Sequence, residues 1–256
     1  MSLPLAYFLL YSIVFLFGSS IGSFLNVVIY RVPIGLSVAA GRSFCPKCHH
    51  TLRPFDMVPV LSWFCLRGRC HFCRAPISPR YPLVEALVGG WAVLFAALYG
   101  FSPKAAIYFA AAAILTAIAF IDMDTMTIPD GLLIILLLPA LASVFFLPFP
   151  QLSSRLLGIF AVSLPLWLIT LAVPNAFGGG DIKLMAVCGL MLGVSSTLVA
   201  FFVALLLGGG YGIYLLLSHK GERKTLFAFA PFLCVGIVFS MVYGASLSAW
   251  YLGLLK

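Results

Sequence analysis

The sequence predicts an all-α, polytopic membrane protein of about eight transmembrane helices, interrupted once, after the first helix, by a small Cys- and Arg-rich domain. Three observations carry this expectation. Of the 256 residues, 63% are hydrophobic and 9% charged, with a mean hydropathy of +1.14, a balance foreign to water-soluble globules. Apolar runs of roughly 20 residues, enough to cross the hydrocarbon core of a bilayer, recur along the chain. The runs are continuous and rich in Leu and Ala, whereas a barrel strand would alternate apolar and polar residues over about ten positions.

The first run, near 5–29, has no basic n-region, exceeds signal-peptide length and precedes a strongly basic stretch, so it reads as a retained helix. Its end, Gly22-Ser23-Phe24-Leu25-Asn26, carries small and amide residues where helices or a ligand can approach closely. Residues 31–80 follow as the one soluble stretch of any size. Further spans are expected near 82–100, 104–123, 130–149, 155–173, 197–217 and 229–252, with a shorter helix near 182–195. No internal repeat, low-complexity tract or long linker interrupts them.

Net charge is +8, but its placement points away from nucleic acid. Arg31, Arg42, Lys47, Arg53, Arg67, Arg69, Arg74 and Arg80 fall in 31–80, and residues 1–30 hold no Lys or Arg. The positive-inside rule makes that loop cytoplasmic and the N-terminus external. Threading eight spans from there puts Lys183, Lys220, Arg223 and Lys224 on the cytoplasmic side, and Lys104, Arg155 and Lys256 outside. Twelve of the fifteen basic residues then face the cytoplasm, where they set topology and meet anionic lipid headgroups.

Cys45-Pro46-Lys47-Cys48 and Cys70-His71-Phe72-Cys73 enclose 21 residues, close to the spacing with which two thiolate pairs close a tetrahedral zinc site. A domain of about fifty residues is too small to hold itself by apolar burial alone, so a metal clip has a structural purpose. Four thiolates leave no open position for a catalytic water, which makes this zinc structural. Disulfides are the alternative, disfavoured by a cytoplasmic loop. His49, His50 and His71 are further potential ligands. Cys65 lies outside the pairing, and Cys188 and Cys234 sit in apolar spans as small hydrophobes.

The chain has seven acids, and Asp122, Asp124, Asp130 and Asp181 fall at two helix boundaries on one predicted side. An ionisable group at a membrane edge needs a partner or a function. Two neighbouring carboxylates can hold a water between them, one ionised and taking its proton, the other protonated and polarising a scissile carbonyl, and such a pair titrates as a unit. Asp181 follows Gly178, Gly179 and Gly180, whose bare backbone would let an extended strand pass close by. Asp122 is the expected partner, on the helical face of Ile118. Asp124 points elsewhere and Asp130, after Pro129, reads as a helix N-cap. Snorkelling to the cytoplasmic surface is the default account of Lys183, with an influence on Asp181 as the alternative.

These residues fall in six blocks whose order resembles the bacterial type IV prepilin peptidases, membrane aspartyl proteases of the Gly-x-Gly-Asp type. The blocks are 22–33, the two Cys pairs, Pro59-Val60-Leu61-Ser62-Trp63 with Arg67-Gly68-Arg69-Cys70, 78–85, Ile121-Asp122 with Ile128-Pro129-Asp130, and Gly178 to Lys183. The resemblance covers nearly the whole chain. It implies catalytic roles for Asp122 and Asp181, with Gly178, Gly179, Gly180 and Lys183 as support. It implies a multi-pass protein of the bacterial inner membrane that cuts the basic leader from prepilins or type II secretion pseudopilins at the cytoplasmic face. It also implies, for many members, N-methylation of the new terminus with S-adenosylmethionine, for which Gly22, Asn26, Arg31, Asp56 and Glu85 are candidates. One departure is Ala228-Phe229-Ala230-Pro231, where the family often shows Pro-Phe-Gly-Pro.

The implied domains are a first helix, 1–30, a four-cysteine zinc domain, 31–80, holding part of the methyltransferase site, and a peptidase core, 81–256. Expected partners are prepilin or pseudopilin substrates and membrane lipids, with no nucleic acid; a homodimer is one oligomeric state the sequence admits. Three alternatives stand beside this reading: a monofunctional peptidase without methylation, a noncatalytic pilus or secretion assembly factor, and a proton-coupled transporter. Acids at the membrane edge rather than its midplane, and the absence of repeats, count against the last.

Overall fold

The computed structural model describes residues 3–39, 41, 43–45, 47–173, 176–218 and 227–254. Arg42, Pro46, Lys256 and the Lys220, Arg223 and Lys224 cluster lie outside the described residues. The described elements are helical: α1 (Leu3–Arg31), a 3-10 turn (Pro54–Met57), α2 (Leu61–Cys65), α3 (Arg80–Tyr99), α4 (Pro103–Thr125), α5 (Asp130–Phe146), α6 (Leu152–Ala172), α7 (Gly179–Leu217) and α8 (Ala230–Leu254). Six of these, all but the 3-10 turn, α2 and α5, are long and apolar enough to cross a membrane. The chain is a multi-pass membrane protein.

The fold has two compact units, Met1–Phe109 and Ala110–Lys256, dividing within α4. In the first, α1 packs against α3. The contact is close because Gly18 and Gly22, spaced four apart on α1, present no side chain: a Cβ on Gly18 would lie 2.9 Å from Gly89 Cα, and one on Gly22 would lie 2.8 Å from Glu85 Cα. Aromatic rings close the far end, with Phe95 and Tyr99 against Tyr108 and the Lys104 ammonium 4.1 Å from the Tyr99 ring centre.

In the second unit α7 is the hub, packing against α5, α6 and α8. It is not one straight rod. Gly193, at φ 72° and ψ 175°, leaves helical geometry for a conformation open to glycine alone. The contacts on either side show that the chain turns back there. Asp181 senses the charge of Asp122, which bonds the start of α8, while Gly208 lies against Phe229, the residue before that start. An unbroken helix would separate residues 181 and 208 by about 40 Å. The two limbs therefore correspond to the short helix near 182–195 and the span near 197–217 expected from sequence. Counted with α1, α3, α4, α5, α6 and α8, they give eight apolar helical segments, although not every one is long enough to span.

Arg155 holds the turn. It is 1% exposed, and its guanidinium donates to the carbonyls of Leu147, Phe149, Pro150, Leu190 and Met191 and to the Ser143 hydroxyl, at 2.8 to 3.4 Å. The Leu147, Leu190 and Met191 carbonyls end α5 and the first limb of α7, where backbone acceptors have no intrahelical donor and the helix dipole favours a cation, while those of Phe149 and Pro150 belong to the loop after α5. Expected from sequence to set topology alone, Arg155 is by its burial a structural cation.

Candidate active site and metal centre

The C-terminal end of α4 supplies Asp122 and the first turn of α7 supplies Asp181, 5% and 9% exposed respectively. They are close enough for the charge of Asp122 to act on Asp181. Asp122 Oδ2 accepts a 3.1 Å hydrogen bond from the Ala230 N–H, one of the amides that the first turn of α8 leaves without an intrahelical acceptor. Asp181 is the third residue of α7, after the N-cap Gly178, and its carboxylate accepts a backbone hydrogen bond from Gly178. An acid there commonly reaches back to the cap. Fully buried Cys188 and nearly buried Cys234 line the same region, Cys234 within electrostatic range of both acids.

The other acids separate from this pair. Helix α4 runs to Thr125, so Asp124 is also helical, yet it is exposed on a different face. Asp130 is not an N-cap: Pro129 holds that position, and the Asp130 carboxylate takes a 2.8 Å salt bridge from Lys183. Lys183 thus fastens the start of α7 to the start of α5. The three glycines differ from one another. A Cβ on Gly180 would lie 2.8 Å from Ile128 Cβ, and one on Gly178 3.2 Å from Asp181 Oδ2, whereas nothing lies within 4 Å of one on Gly179. Only Gly179 borders open space; Gly180 is required by packing.

The Ala230 contact is not among the sequence expectations. Its one signal is Pro231, since proline is favoured in the first turn of a helix and marks an end whose amides are free.

The four-cysteine motif forms two knuckles of the same design. Phe44 bridges Thr51 and Arg69 bridges Pro76. The Cys45 and Cys70 carbonyls accept the amides of His49 and Arg74, and their own amides bond the His50 and Ala75 carbonyls. His49 (φ 56°) and Arg74 (φ 57°) take the left-handed turn that this ring requires. All four Sγ atoms lie within 4.8 Å of one another, with Cys45 and Cys73 at 3.9 Å. A tetrahedron with Zn–S bonds of 2.3 Å has edges of about 3.8 Å, so the set fits zinc. Burial pushes the Cys45 thiol up, but the Cys48 and Lys47 amides and the Cys70 and Cys48 thiols outweigh it and bring it down to about 7. At Cys48 the His50 amide acts downward, but desolvation and the Cys73 and Cys45 sulfurs raise it to about 11. Four sulfurs this close could ionise together only around a cation. The candidate histidines pack on rings instead: His50 lies 3.5 Å from the Phe72 ring centre, His71 at 5.2 Å, and His49 stacks on Phe44.

Of the remaining candidates, Gly22, Asn26 and Glu85 meet where α1 packs on α3. Asn26 Nδ2 donates to the Tyr81 carbonyl at 3.1 Å, and Glu85 Oε2 accepts the Val60 amide at 2.7 Å, with Ser23 as a second partner. Arg31 donates to the Ser37 carbonyl at 2.9 Å, and Asp56 caps the 3-10 turn through the Arg53 amide at 3.1 Å.

The fold and site define a class: polytopic helical membrane proteins with a buried pair of aspartates and a separate four-cysteine centre. Residues 16–99 match the Bacterial Peptidase A24 N-terminal domain, and residues 109–213 match the Type IV leader peptidase family. Over 98% of this chain and 95% of its own length, a prepilin leader peptidase/N-methyltransferase of Aeromonas hydrophila is 35% identical. Proteins of the same description from Bacillus subtilis (strain 168) and Legionella pneumophila are 35% and 31% identical, over 94% and 95% of this chain and 97% and 95% of theirs. No solved structure matches. The chain belongs to the type IV leader peptidase family.

Proposed function

We propose that this protein removes the N-terminal leader of prepilins or pseudopilins with Asp122 and Asp181, and methylates the new N-terminus in a second reaction. The observation that carries the first part is the enclosure of two carboxylates, from different helices, within electrostatic range of one another. One carboxylate takes a proton from a water between them while the other hydrogen-bonds the scissile carbonyl, and the roles reverse as the leaving amine is protonated. The Ala230 amide keeps Asp122 oriented through this exchange. A prepilin, with a basic leader ahead of an apolar helix, would present its cleavage point at the membrane edge, where α4 ends and α7 begins.

Methylation rests on the relatives' description as N-methyltransferases. S-adenosylmethionine supplies an electrophilic methyl group. Glu85, Asn26 and Arg31 offer a carboxylate, an amide and a guanidinium, the chemistry that its ammonium, ribose and carboxylate groups need. Gly22 and Asp56 shape the surrounding backbone. Zinc in the four-cysteine centre is structural, because four thiolates complete its tetrahedron. The bacterial inner membrane is the proposed location, with loop and aspartates on the cytoplasmic side, supported by eight Lys and Arg in 31–80 against none in 1–30.

The test incubates purified protein with a prepilin and labelled S-adenosylmethionine, beside Asp122→Asn and Asp181→Asn, following leader loss and methyl incorporation by mass spectrometry. Each variant is expected to lose about 10²- to 10⁴-fold in cleavage while still methylating precleaved substrate. Unimpaired cleavage by either would refute the assignment. Cleavage without methylation would leave a monofunctional peptidase.

A further inference from the structure

We propose that Pro54–Cys65 is an interfacial element, its apolar face seated among the phospholipids beside α3. Helix α2 is turned inside out relative to a helix on a soluble domain. Leu61, Phe64 and Cys65, spaced i, i+3 and i+4, form one face, and it points outward, with Leu61 54% and Phe64 64% exposed. Trp63 points inward instead, its indole N–H donating to the Ile77 carbonyl at 3.1 Å and its ring lying against Gly68. The preceding 3-10 turn adds Phe55, 86% exposed. Large apolar side chains exposed side by side on a soluble surface point to an interaction site.

The occupant follows from depth. The Val60 amide bonds Glu85, which sits five residues into α3, about 7 Å along its axis from Arg80. Interfacial helices bury their apolar face about 5–10 Å into the boundary between headgroups and acyl chains. The Val60–Glu85 bond thereby tethers the start of α2 to α3, on whose first turn Leu83 is 58% exposed. Val60 adopts φ 62° and ψ −53°, closed by a 2.6 Å bond from the Leu61 amide to the Pro59 carbonyl, a γ-turn that a β-branched residue rarely accepts. That turn aims the Val60 amide at Glu85 and starts α2 beside the span. Exposed Arg53, Arg67 and Arg69 flank the segment, with the sign that anionic headgroups attract.

The test uses the full-length protein in nanodiscs of phosphatidylethanolamine and phosphatidylglycerol, with benzoylphenylalanine in place of Leu61, Phe64 or Phe55. Leu138, mid-helix and exposed, is the positive control; Phe44, exposed in the Cys45 knuckle, is the negative one. After irradiation, intact-mass spectra are expected to show a gain of one phospholipid at 61, 64 and 138 and none at 44. Absence of lipid adducts at 61 and 64 while 138 reacts would overturn the proposal, as would crosslinking of those positions to another protein chain. If the Leu61 variant fails to fold, Phe55 decides in its place: a phospholipid adduct supports the proposal and its absence overturns it.

Discussion

An alanine at Gly180 would put its Cβ 2.8 Å from Ile128 Cβ, 3.1 Å from Cγ1 and 3.2 Å from Cδ1. Carbon atoms in contact sit about 3.5–4.0 Å apart, so the backbone must open by about 1 Å. Overpacking of this kind costs about 1–3 kcal/mol. The displacement falls on the residue before Asp181, and a misplacement of about 1 Å at a reacting group lowers rate about 10²-fold. Gly180→Ala is therefore expected to reduce kcat for prepilin cleavage by about 10- to 100-fold with little change in KM. The rescue is specific. Ile128→Gly removes all three obstructing atoms and should restore activity to Gly180→Ala, whereas Ile128→Ala leaves the 2.8 Å contact and should not. Gly179→Ala, with nothing within 4 Å, should cleave normally. Two results would refute this reasoning: a folded but inactive Gly179→Ala, or a Gly180→Ala and Ile128→Gly double variant no better than Gly180→Ala alone.

Three other outcomes are expected. Lys183→Met breaks an ion pair whose side chains are 59% and 68% exposed, worth about 0–1 kcal/mol, so initial cleavage rates should change by no more than about fivefold. Cys45→Ser should lower bound zinc, measured by elemental mass spectrometry, from about one per chain toward zero and make 31–80 sensitive to limited proteolysis. Chelation that stops cleavage while the loop stays protected would contradict a structural role. Arg155→Met leaves buried carbonyls unpaired, at about 1–3 kcal/mol each, and should lower the melting temperature in detergent far more than Lys183→Met does.

Much of this architecture is legible because membrane helices declare themselves by length and apolarity, and because thiolate pairs at the Cys45 and Cys70 spacing have few other uses. Asp122 and Asp181 stand out since a carboxylate in an apolar run is costly unless it works. What escapes sequence reading are features set by backbone rather than side-chain type. The Ala230 amide is invisible in an alanine and is betrayed only by Pro231. Gly193 looks like one small residue among several until its positive φ shows where α7 reverses. Asp130 reads as a cap because it follows Pro129, but the proline takes the cap and leaves the carboxylate free to meet Lys183, 53 residues on. Arg155 is misjudged because a lone Arg near a span end normally reaches for water; here the end of α5, the loop after it and the end of the first limb of α7 supply enough carbonyls to enclose it.

The topology explains why the two aspartates meet at all. Asp122 ends α4 and Asp181 begins α7, with α5 and α6 between them: one helix away and one helix back, so the chain returns to the end it left. A third helix in that interval would have put Asp181 on the opposite face. The same parity governs where α8 begins. Had α7 continued straight past Gly193, its second limb would have carried residue 208 away from Asp181, and α8 would have started far from the pair. Reversal at Gly193 brings Gly208 back to Phe229, and with it Ala230, whose amide completes the surroundings of Asp122. Arg155 secures the first limb from the far end by its bonds to the Leu190 and Met191 carbonyls. A buried cation remote from the acids thus fixes the helix whose first turn carries Asp181, and one glycine with left-handed geometry decides whether Asp122 finds its hydrogen-bond donor.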